Sequence, residues 1–192
     1  MARRNTAEVI TGAAVLVLGC GPIGCFAVGV ARAAGASLVI ASDLNPTRLE
    51  IARAMGAHVT LDPARDDVVG RVRDLTGGEG VDLVCEMSGH PSGHQTAFAA
   101  ARRAGRVNLL GTPSRTTDVD FARDVIFKGL TLYGVTGRRM YQTWQQMFRL
   151  VRAGQLDPKP VVTHRFRLEQ IAEAIQVIKD GQAGKVILEI GA

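Results

Sequence analysis

The sequence predicts an α/β fold in which helices cover both faces of a parallel β-sheet. Short runs of apolar and β-branched residues alternate with longer helical patterns from residue 14 to residue 133. The first run, Ala14–Leu18, is wholly apolar, as expected of a strand buried on both faces. Each return to a parallel strand needs a crossover helix, and repeated crossovers build a doubly wound sheet. We therefore predict six strands in the order 3-2-1-4-5-6.

Glycines and prolines separate the predicted elements. Gly35 ends the first helix, and Pro46 begins the second, where its missing N–H costs little. The six strands are predicted at Ala14–Leu18, Ser37–Ser42, His58–Leu61, Val81–Cys85, Arg106–Leu110 and Thr131–Tyr133. The helices are predicted at Ile23–Ala34, Pro46–Met55, Pro63–Leu75, Pro91–Arg103, Phe121–Lys128 and Met140–Ala153.

The alternation stops near Gly154, and a strand-helix-strand tail follows. Its elements are predicted at Val161–Phe166, Leu168–Asp180 and Lys185–Ile190. They carry apolar faces but have no place in a sheet that already holds six strands. We therefore divide the chain into an N-terminal lead-in at 1–12, a main domain at 13–154 and a C-terminal segment at 155–192.

Composition restricts the partners that this protein can have. The chain has 192 residues, 46% of them hydrophobic, which suits one ordinary globular domain. Its formal charge is +5, but 19 of the 23 basic residues are scattered arginines. The sequence has no run of five basic residues. We therefore expect no nucleic-acid partner.

The cysteines and the apolar N-terminal stretch indicate a cytoplasmic protein with no membrane partner. Three cysteines without C-x-x-C spacing favour neither a disulfide framework nor a structural zinc site. The apolar stretch could pass for a secretory signal, but its glycines and Pro22 would break a single helix. We therefore do not interpret it as a targeting segment.

A glycine-rich loop after the first strand predicts a dinucleotide site. Residues 19–24 read Gly-Cys-Gly-Pro-Ile-Gly, the G-x-G-x-x-G pattern, and a helix follows. Gly19 permits the tight turn, Gly21 lets the backbone approach a pyrophosphate, and Gly24 allows close packing of helix and strand. The helix dipole then stabilises the phosphates. This arrangement is typical of the Rossmann fold.

Asp43 lies 19 residues after Gly24, at the end of the second strand. Its carboxylate is expected to accept hydrogen bonds from the adenosine ribose, and its charge would repel a 2′-phosphate. The expected cofactor is therefore NAD rather than NADP. Arg48 is interpreted as a contact to ribose or adenine; the alternative is a solvated helix residue.

Two histidines near the fourth strand suggest a metal site, but the pattern is poor. His90 and His94 are four residues apart with Cys85 nearby, yet Pro91 and Gly93 interrupt the spacing and no third ligand follows at a suitable distance. We therefore predict no metal site in this chain, and we assign no catalytic residue to it.

The chain resembles the cofactor domain of zinc-dependent medium-chain dehydrogenases over about residues 13–192. The resemblance begins with GPIGCFAVGVARAAGASLVIASDLNPTRLEIARAMGA. Within that family it is most similar to the L-threonine 3-dehydrogenases. The motifs that carry this second likeness are EMSGHP, GRVNLLGTP, GVTGRRMYQTW, THRF and GQAGKVILEI.

The resemblance implies roles for particular residues. It assigns Ile23, Asp43 and Arg48 to the pyrophosphate and adenosine half of NAD, and it assigns the turns after the fifth and sixth strands to the nicotinamide half. The candidate cofactor-binding residues are Gly19, Gly21, Pro22, Ile23, Gly24, Asp43, Arg48, Ser88, Leu110, Gly111, Thr112, Val135 and Thr136.

The resemblance also implies a reaction and partners. Members of this family begin with a GroES-like catalytic domain that holds the zinc ligands and the proton relay, and that domain is absent from this sequence. We expect zinc only in that domain, with residues 155–192 packing back on it. A separate catalytic domain or chain and a homo-oligomer are the expected partners, besides the dinucleotide. The implied reaction is oxidation of a secondary alcohol by hydride transfer to NAD.

Two other hypotheses remain open. The chain could be the cofactor half of another alcohol or polyol dehydrogenase, because the substrate pocket lies mostly in the absent domain. It could also be a non-catalytic NAD-binding or interaction module. In that case the apolar surface of Val161–Ile190 would bind a partner protein.

Overall fold

The computed structural model describes residues 11–137 and 139–191. Most of the predicted lead-in at 1–12 lies outside these residues, as does Arg138. The main sheet has six strands in the order β3-β2-β1-β4-β5-β6, and each neighbouring pair is parallel. The predicted doubly wound fold and strand order are therefore confirmed. The strands are β1 Ala14–Leu18, β2 Leu38–Ser42, β3 Val59–Leu61, β4 Val81–Glu86, β5 Ala101–Leu109 and β6 Thr131–Gly134.

Two hydrophobic cores lie on opposite faces of the sheet. Along β1, Val15 and Val17 belong to one core and Leu16 and Leu18 to the other, as the two-residue period of a strand requires. Helices α1 and α2 contribute to the first core, and α3 and α4 to the second. The helices of this region are α1 Pro22–Ala33, α2 Pro46–Ala54, α3 Val68–Leu75, α4 Pro91–Ala100 and α5 Gln142–Arg152, with a π-helix at Phe121–Ile126.

The strand register brings the functional loops together at one edge. The last residue of β1, Leu18, pairs with Ser42 on β2 and with Glu86 on β4. Glu86 pairs in turn with Leu109 on β5. Ligands bind at the carboxyl ends of strands in such sheets. The glycine loop, Asp43 and the turns after β4 and β5 therefore share one edge.

Several predicted helices have wrong boundaries. The helix predicted at Pro91–Arg103 ends at Ala100, because Ala101 already pairs with Val81 in the sheet. The helix predicted at Pro63–Leu75 begins only at Val68, where the Asp67 side chain accepts a hydrogen bond from the Gly70 N–H. The helix predicted at Phe121–Lys128 is a short π-helix.

The C-terminal segment forms the predicted strand-helix-strand unit. Strands β7 Val162–Arg167 and β8 Lys185–Glu189 pair in parallel, and α6 Ile171–Lys179 connects them. The segment is anchored on the first core, because Leu156 and Val161 are buried there. The predicted place of this segment outside the main sheet is therefore correct.

Candidate dinucleotide site

The turn from β1 to α1 is held by two close backbone approaches. Gly19 has a φ of +86°, which L side chains rarely adopt, and a Cβ there would lie 2.7–2.9 Å from atoms of Ser88. A Cβ on Gly24 would lie 1.9 Å from the Gly19 carbonyl oxygen. Both positions therefore need glycine. At Gly24 the reason is the close packing of the helix that the sequence pattern predicts.

The start of α1 is open where a phosphate group would lie. Gly21 is the residue before the helix, and the first helical hydrogen bond runs from the Cys25 N–H to the Gly21 carbonyl. A Cβ on Gly21 would meet no atom of the described residues within 4 Å. The N–H groups of a first helical turn have no carbonyl partner within the helix. This end of α1 is therefore suited to an anion.

The Asp43 carboxylate faces the glycine loop. Its Oδ2 accepts a hydrogen bond from the Cys20 N–H at 2.6 Å, and its Oδ1 accepts one from the Asn45 N–H at 2.8 Å. Carboxylate oxygens have two lone pairs each, so both can still accept a hydroxyl. Arg48 Nη1 lies 4.0 Å from Asp43 Oδ2. Within residues 11–137 and 139–191, the buried Arg48 Nε has no hydrogen-bond partner.

These groups line a cleft of about 680 Å³. Five of the predicted residues line it: Gly19, Gly21, Asp43, Arg48 and Ser88. Pro63, Val68 and Thr96 contribute a less polar part of its wall. The open helix end, the carboxylate with free lone pairs and the positive charge of Arg48 match phosphate, ribose hydroxyls and a further acceptor. The residues present therefore fit the adenosine and pyrophosphate parts of NAD.

The remaining predicted residues do not line this cleft. Pro22, Ile23 and Gly24 lie in the first turn of α1, where Ile23 is exposed and Gly24 is buried. The residues predicted for the nicotinamide half follow β5 and β6. The N–H groups of Leu110 and Gly111 donate to the Glu86 carbonyl at 3.0 and 3.1 Å. Thr112 follows Gly111, and Val135 and Thr136 follow β6, so all five lie along the same sheet edge.

Comparison with known proteins agrees with this geometry. The sequence profile of a family described as zinc-binding dehydrogenase matches residues 22–153, which is more than half of the chain. The chain belongs to the zinc-binding dehydrogenase family. The matched region contains most of the cleft and represents the NAD-binding half of these medium-chain dehydrogenases.

Individual relatives of this dehydrogenase domain are L-threonine 3-dehydrogenases. The enzyme of Bacillus subtilis is 48% identical over 177 residues, which cover 92% of this chain and 51% of the relative. The enzyme of Symbiobacterium thermophilum is 48% identical over 180 residues, with 93% and 51% covered. The chain therefore spans about half the length of the curated relatives it matches.

Solved structures show the same domain in alcohol dehydrogenases. Alcohol dehydrogenase TADH from Thermus sp. ATN1 matches with a TM-score of 0.87 and 30% identity, over 94% of this chain and 52% of that chain. Benzyl alcohol dehydrogenase from Acinetobacter calcoaceticus matches with a TM-score of 0.90 and 25% identity, over 97% and 52%. The Rossmann-type fold is thus shared with longer dehydrogenase chains.

Two residues at or beneath the cleft were not predicted as site residues from the sequence. Glu86 is fully buried at the end of β4, and its carboxylate accepts hydrogen bonds from Ser88 and Gly89. An acidic residue at the end of an apolar strand was the available signal. Asn45 caps α2 through a hydrogen bond from the Arg48 N–H at 3.2 Å, and its Nδ2 donates to the Gly181 carbonyl at 2.6 Å. Asn before Pro46 is a recognisable cap pattern.

The cysteines are buried and unreactive in their setting. Burial raises the pKa of Cys25 and of Cys85 to about 12 each, and it raises the pKa of Cys20 further. Nucleophilic chemistry requires the thiolate, so these thiols act as small apolar side chains.

The two histidines near β4 have separate local roles. His90 Nδ1 caps α4 by accepting the Ser92 N–H at 3.3 Å, and His94 Nε2 lies 3.6 Å from Glu86 Oε2. Within residues 11–137 and 139–191 no cluster of three or more His, Cys, Asp or Glu side chains could hold a metal ion. Over the same residues, none of the helices has the length and apolar character that a membrane span requires.

Proposed function

We propose that this chain is the NAD(H)-binding portion of an L-threonine 3-dehydrogenase-like oxidoreductase. The observation that supports it most is the Asp43 carboxylate, whose Oδ2 lies 2.6 Å from a glycine-loop amide in the cleft. Within this proposal residues 13–154 are the NAD-binding domain and residues 155–192 pack on a catalytic domain. All thirteen candidate residues keep the cofactor-binding roles predicted from the sequence.

The proposed binding uses backbone amides and one carboxylate. The amides at the start of α1 bind the pyrophosphate, and Asp43 accepts hydrogen bonds from the adenosine ribose. Arg48 lines the same cleft and provides a positive charge beside Asp43. The turns after β5 and β6 hold the carboxamide and so orient the nicotinamide ring. When bound, NAD supplies the hydride acceptor for oxidation of a secondary alcohol.

Turnover in this proposal requires a zinc-bearing catalytic domain, attached to this domain or supplied by a separate chain. The relatives that are L-threonine 3-dehydrogenases are about twice as long as the matched region. A substrate is held in place beside the nicotinamide only if a second domain contacts it from the opposite side. Zinc would be held there, where it polarises the alcohol oxygen.

Binding and reconstitution test this proposal separately. Titration calorimetry of the purified chain with NAD is expected to show saturable binding, and absence of heat at millimolar NAD would refute the cofactor role. Addition of L-threonine and Zn²⁺ is expected to give no NADH from the chain alone. NADH formation should appear once a separately produced catalytic domain is added. Strong activity of the chain alone would contradict the proposal.

A second candidate function is the cofactor half of another alcohol or polyol dehydrogenase. It is favoured by the solved structures, which include a benzyl alcohol dehydrogenase and a 2R,3R-butanediol dehydrogenase from Bacillus subtilis. A panel of threonine, butanediol, benzyl alcohol and polyols on the reconstituted enzyme separates the two candidates. Preference for threonine by kcat/KM supports the first, and preference for any other alcohol supports the second.

A further inference from the structure

We infer that Glu86 is a positioning residue of the dinucleotide site, acting through two loops rather than through contact with the cofactor. This inference rests on the proposed NAD-binding function. It concerns a carboxylate that is fully buried at the carboxyl end of β4, below the cleft. The turns after β4 and after β5, which contain candidate binding residues, both contact it.

The carboxylate holds the turn after β4. Oε1 accepts hydrogen bonds from the Ser88 N–H at 2.9 Å and from the Ser88 hydroxyl, and the Gly89 N–H lies 3.2 Å from each oxygen. His94 Nε2 lies 3.6 Å from Oε2. A buried carboxylate is costly unless such donors surround it. An apolar side chain in its place would leave the buried Gly89 N–H without this acceptor.

The turn after β4 in turn supports the glycine loop. A Cβ on Gly19 would lie 2.7 Å from the Ser88 nitrogen and 2.8 Å from its Cα, so the two backbones are in direct contact. Because Ser88 is held by Glu86, the position of the carboxylate determines where Gly19 can lie. Gly19 sets the direction in which the chain enters α1, whose first amides would bind the pyrophosphate.

Glu86 also fixes the turn after β5. Its carbonyl accepts the N–H groups of Leu110 and Gly111. A Cβ on Gly111 would lie 2.7 Å from Glu86 Oε2 and 2.1 Å from the Gly89 nitrogen. One residue therefore joins the loops proposed for the pyrophosphate and for the nicotinamide.

Asp82 offers a matched control on the same strand. It lies near the opposite end of β4, where its carboxylate accepts hydrogen bonds from the Ala14 N–H at 2.8 Å and from Arg102 Nε at 2.7 Å. Glu86→Gln and Asp82→Asn each replace one acceptor oxygen by an NH2 group that cannot accept. Both variants are expected to lower the Tm, because both lose hydrogen bonds to β4.

Only the Glu86→Gln variant is expected to weaken NAD binding. Calorimetry should show a dissociation constant about tenfold higher than in the unaltered protein, since a hydrogen bond to a charged group is lost. The Asp82→Asn constant should remain within about twofold. Equal constants for the two variants would overturn the inference and leave Glu86 with a stabilising role alone.

Amide NMR of the unliganded protein tests the inference even if NAD does not bind. Glu86→Gln is expected to shift the amide signals of Ser88, Gly89 and Gly19, whereas Asp82→Asn leaves Gly19 unchanged. An unshifted Gly19 signal in Glu86→Gln would overturn the proposed link. If Glu86→Gln does not fold, Gly93→Ala replaces it, because its Cβ would lie 2.5 Å from the Ser88 hydroxyl and 2.8 Å from Glu86 Oε1 and so press on this pair without removing the charge. It should shift the same signals, and unchanged signals would contradict the inference.

Discussion

The Asp43 carboxylate lies between two backbone amides, one from the glycine loop and one from the start of α2. It is therefore fixed in position before any ligand arrives, and its remaining lone pairs face the cleft. A group preorganised in this way binds hydroxyls without further ordering. The same fixed charge disfavours a second phosphate on the ribose.

Replacement of Asp43 by serine is expected to change cofactor preference. The variant loses two charge-assisted acceptors and the repulsion of a 2′-phosphate, so the ratio of NAD to NADP affinity should fall by about tenfold or more. Titration calorimetry with both cofactors measures the ratio. Asp62→Ser is a suitable control, because Asp62 likewise accepts a local N–H, from Ala64 at 2.9 Å, but does not line the cleft. An unchanged ratio in Asp43→Ser would refute the ribose role.

Asp82 should contribute to acid sensitivity. Burial alone would raise the pKa of Asp82, but hydrogen bonds from Ala14 and Arg102 outweigh it, and the pKa lies below its ordinary value of 3.8. As pH falls below about 4, the unfolded carboxyl therefore gains its proton before the folded one. The contribution of Asp82 to the free energy of unfolding is lost over that range and is fully present above it.

Urea unfolding at several pH values measures this contribution. Between about pH 4 and pH 2 the free energy of unfolding of Asp82→Asn should fall less steeply than that of the unaltered protein. At pH 7 the variant should be the less stable of the two. Parallel curves over the acid range would show that Asp82 has the same pKa in both states.

At the scale of elements, features that depend on nearby residues could be predicted from the sequence, and features that depend on long-range contacts could not. The β1 run, the glycine loop and the position of Asp43 depend on neighbours within one strand-helix-strand unit, and the sequence contains all three. The boundary between α4 and β5 depends on Ala101 pairing with Val81, a contact that alanine composition does not reveal. The two loops joined by Glu86 were each identified, but their shared support is visible only in three dimensions.

Asn45 illustrates the same limit and supplies a prediction about α2. Its cap on the Arg48 N–H is local, whereas its bond to the Gly181 carbonyl spans 136 residues. Asn45→Ala removes both, and the cap alone contributes about 1 kcal/mol. Asn45→Asp keeps the cap and loses only the donor to Gly181. Chemical unfolding should therefore rank the unaltered protein above Asn45→Asp and Asn45→Asp above Asn45→Ala.

Asp120 provides a control for the capping effect alone. Its side chain caps the π-helix by accepting the Arg123 N–H at 3.1 Å, and it does not line the cleft. Asp120→Ala should lose stability without any change in NAD affinity. Asn45→Ala should lose both stability and NAD affinity, since the Asn45 side chain holds the Arg48 N–H and Asn45 lines the cleft. Equal NAD affinity in the two variants would limit Asn45 to a stabilising role.

At the scale of the whole molecule, the C-terminal segment presents an apolar helix face. Ile171, Ile175 and Ile178 of α6 are all about half exposed, and their spacing places them on one side of the helix. Leu168 precedes them and is similarly exposed. Clusters of this kind mark protein interfaces more often than free surface. In the proposed function this face receives the catalytic domain.

Ile175→Glu is expected to block reconstitution while leaving the cofactor site intact. A charge at the centre of the apolar face would be buried unpaired on docking, so affinity for a catalytic domain should fall by about tenfold or more. Calorimetric NAD affinity should not change, because α6 does not line the cleft. Gln176→Glu adds the same charge on the polar side of the same helix and should allow normal reconstitution. If Ile175→Glu reconstitutes as well as Gln176→Glu, the catalytic domain must dock elsewhere, and the role proposed for residues 155–192 would fail.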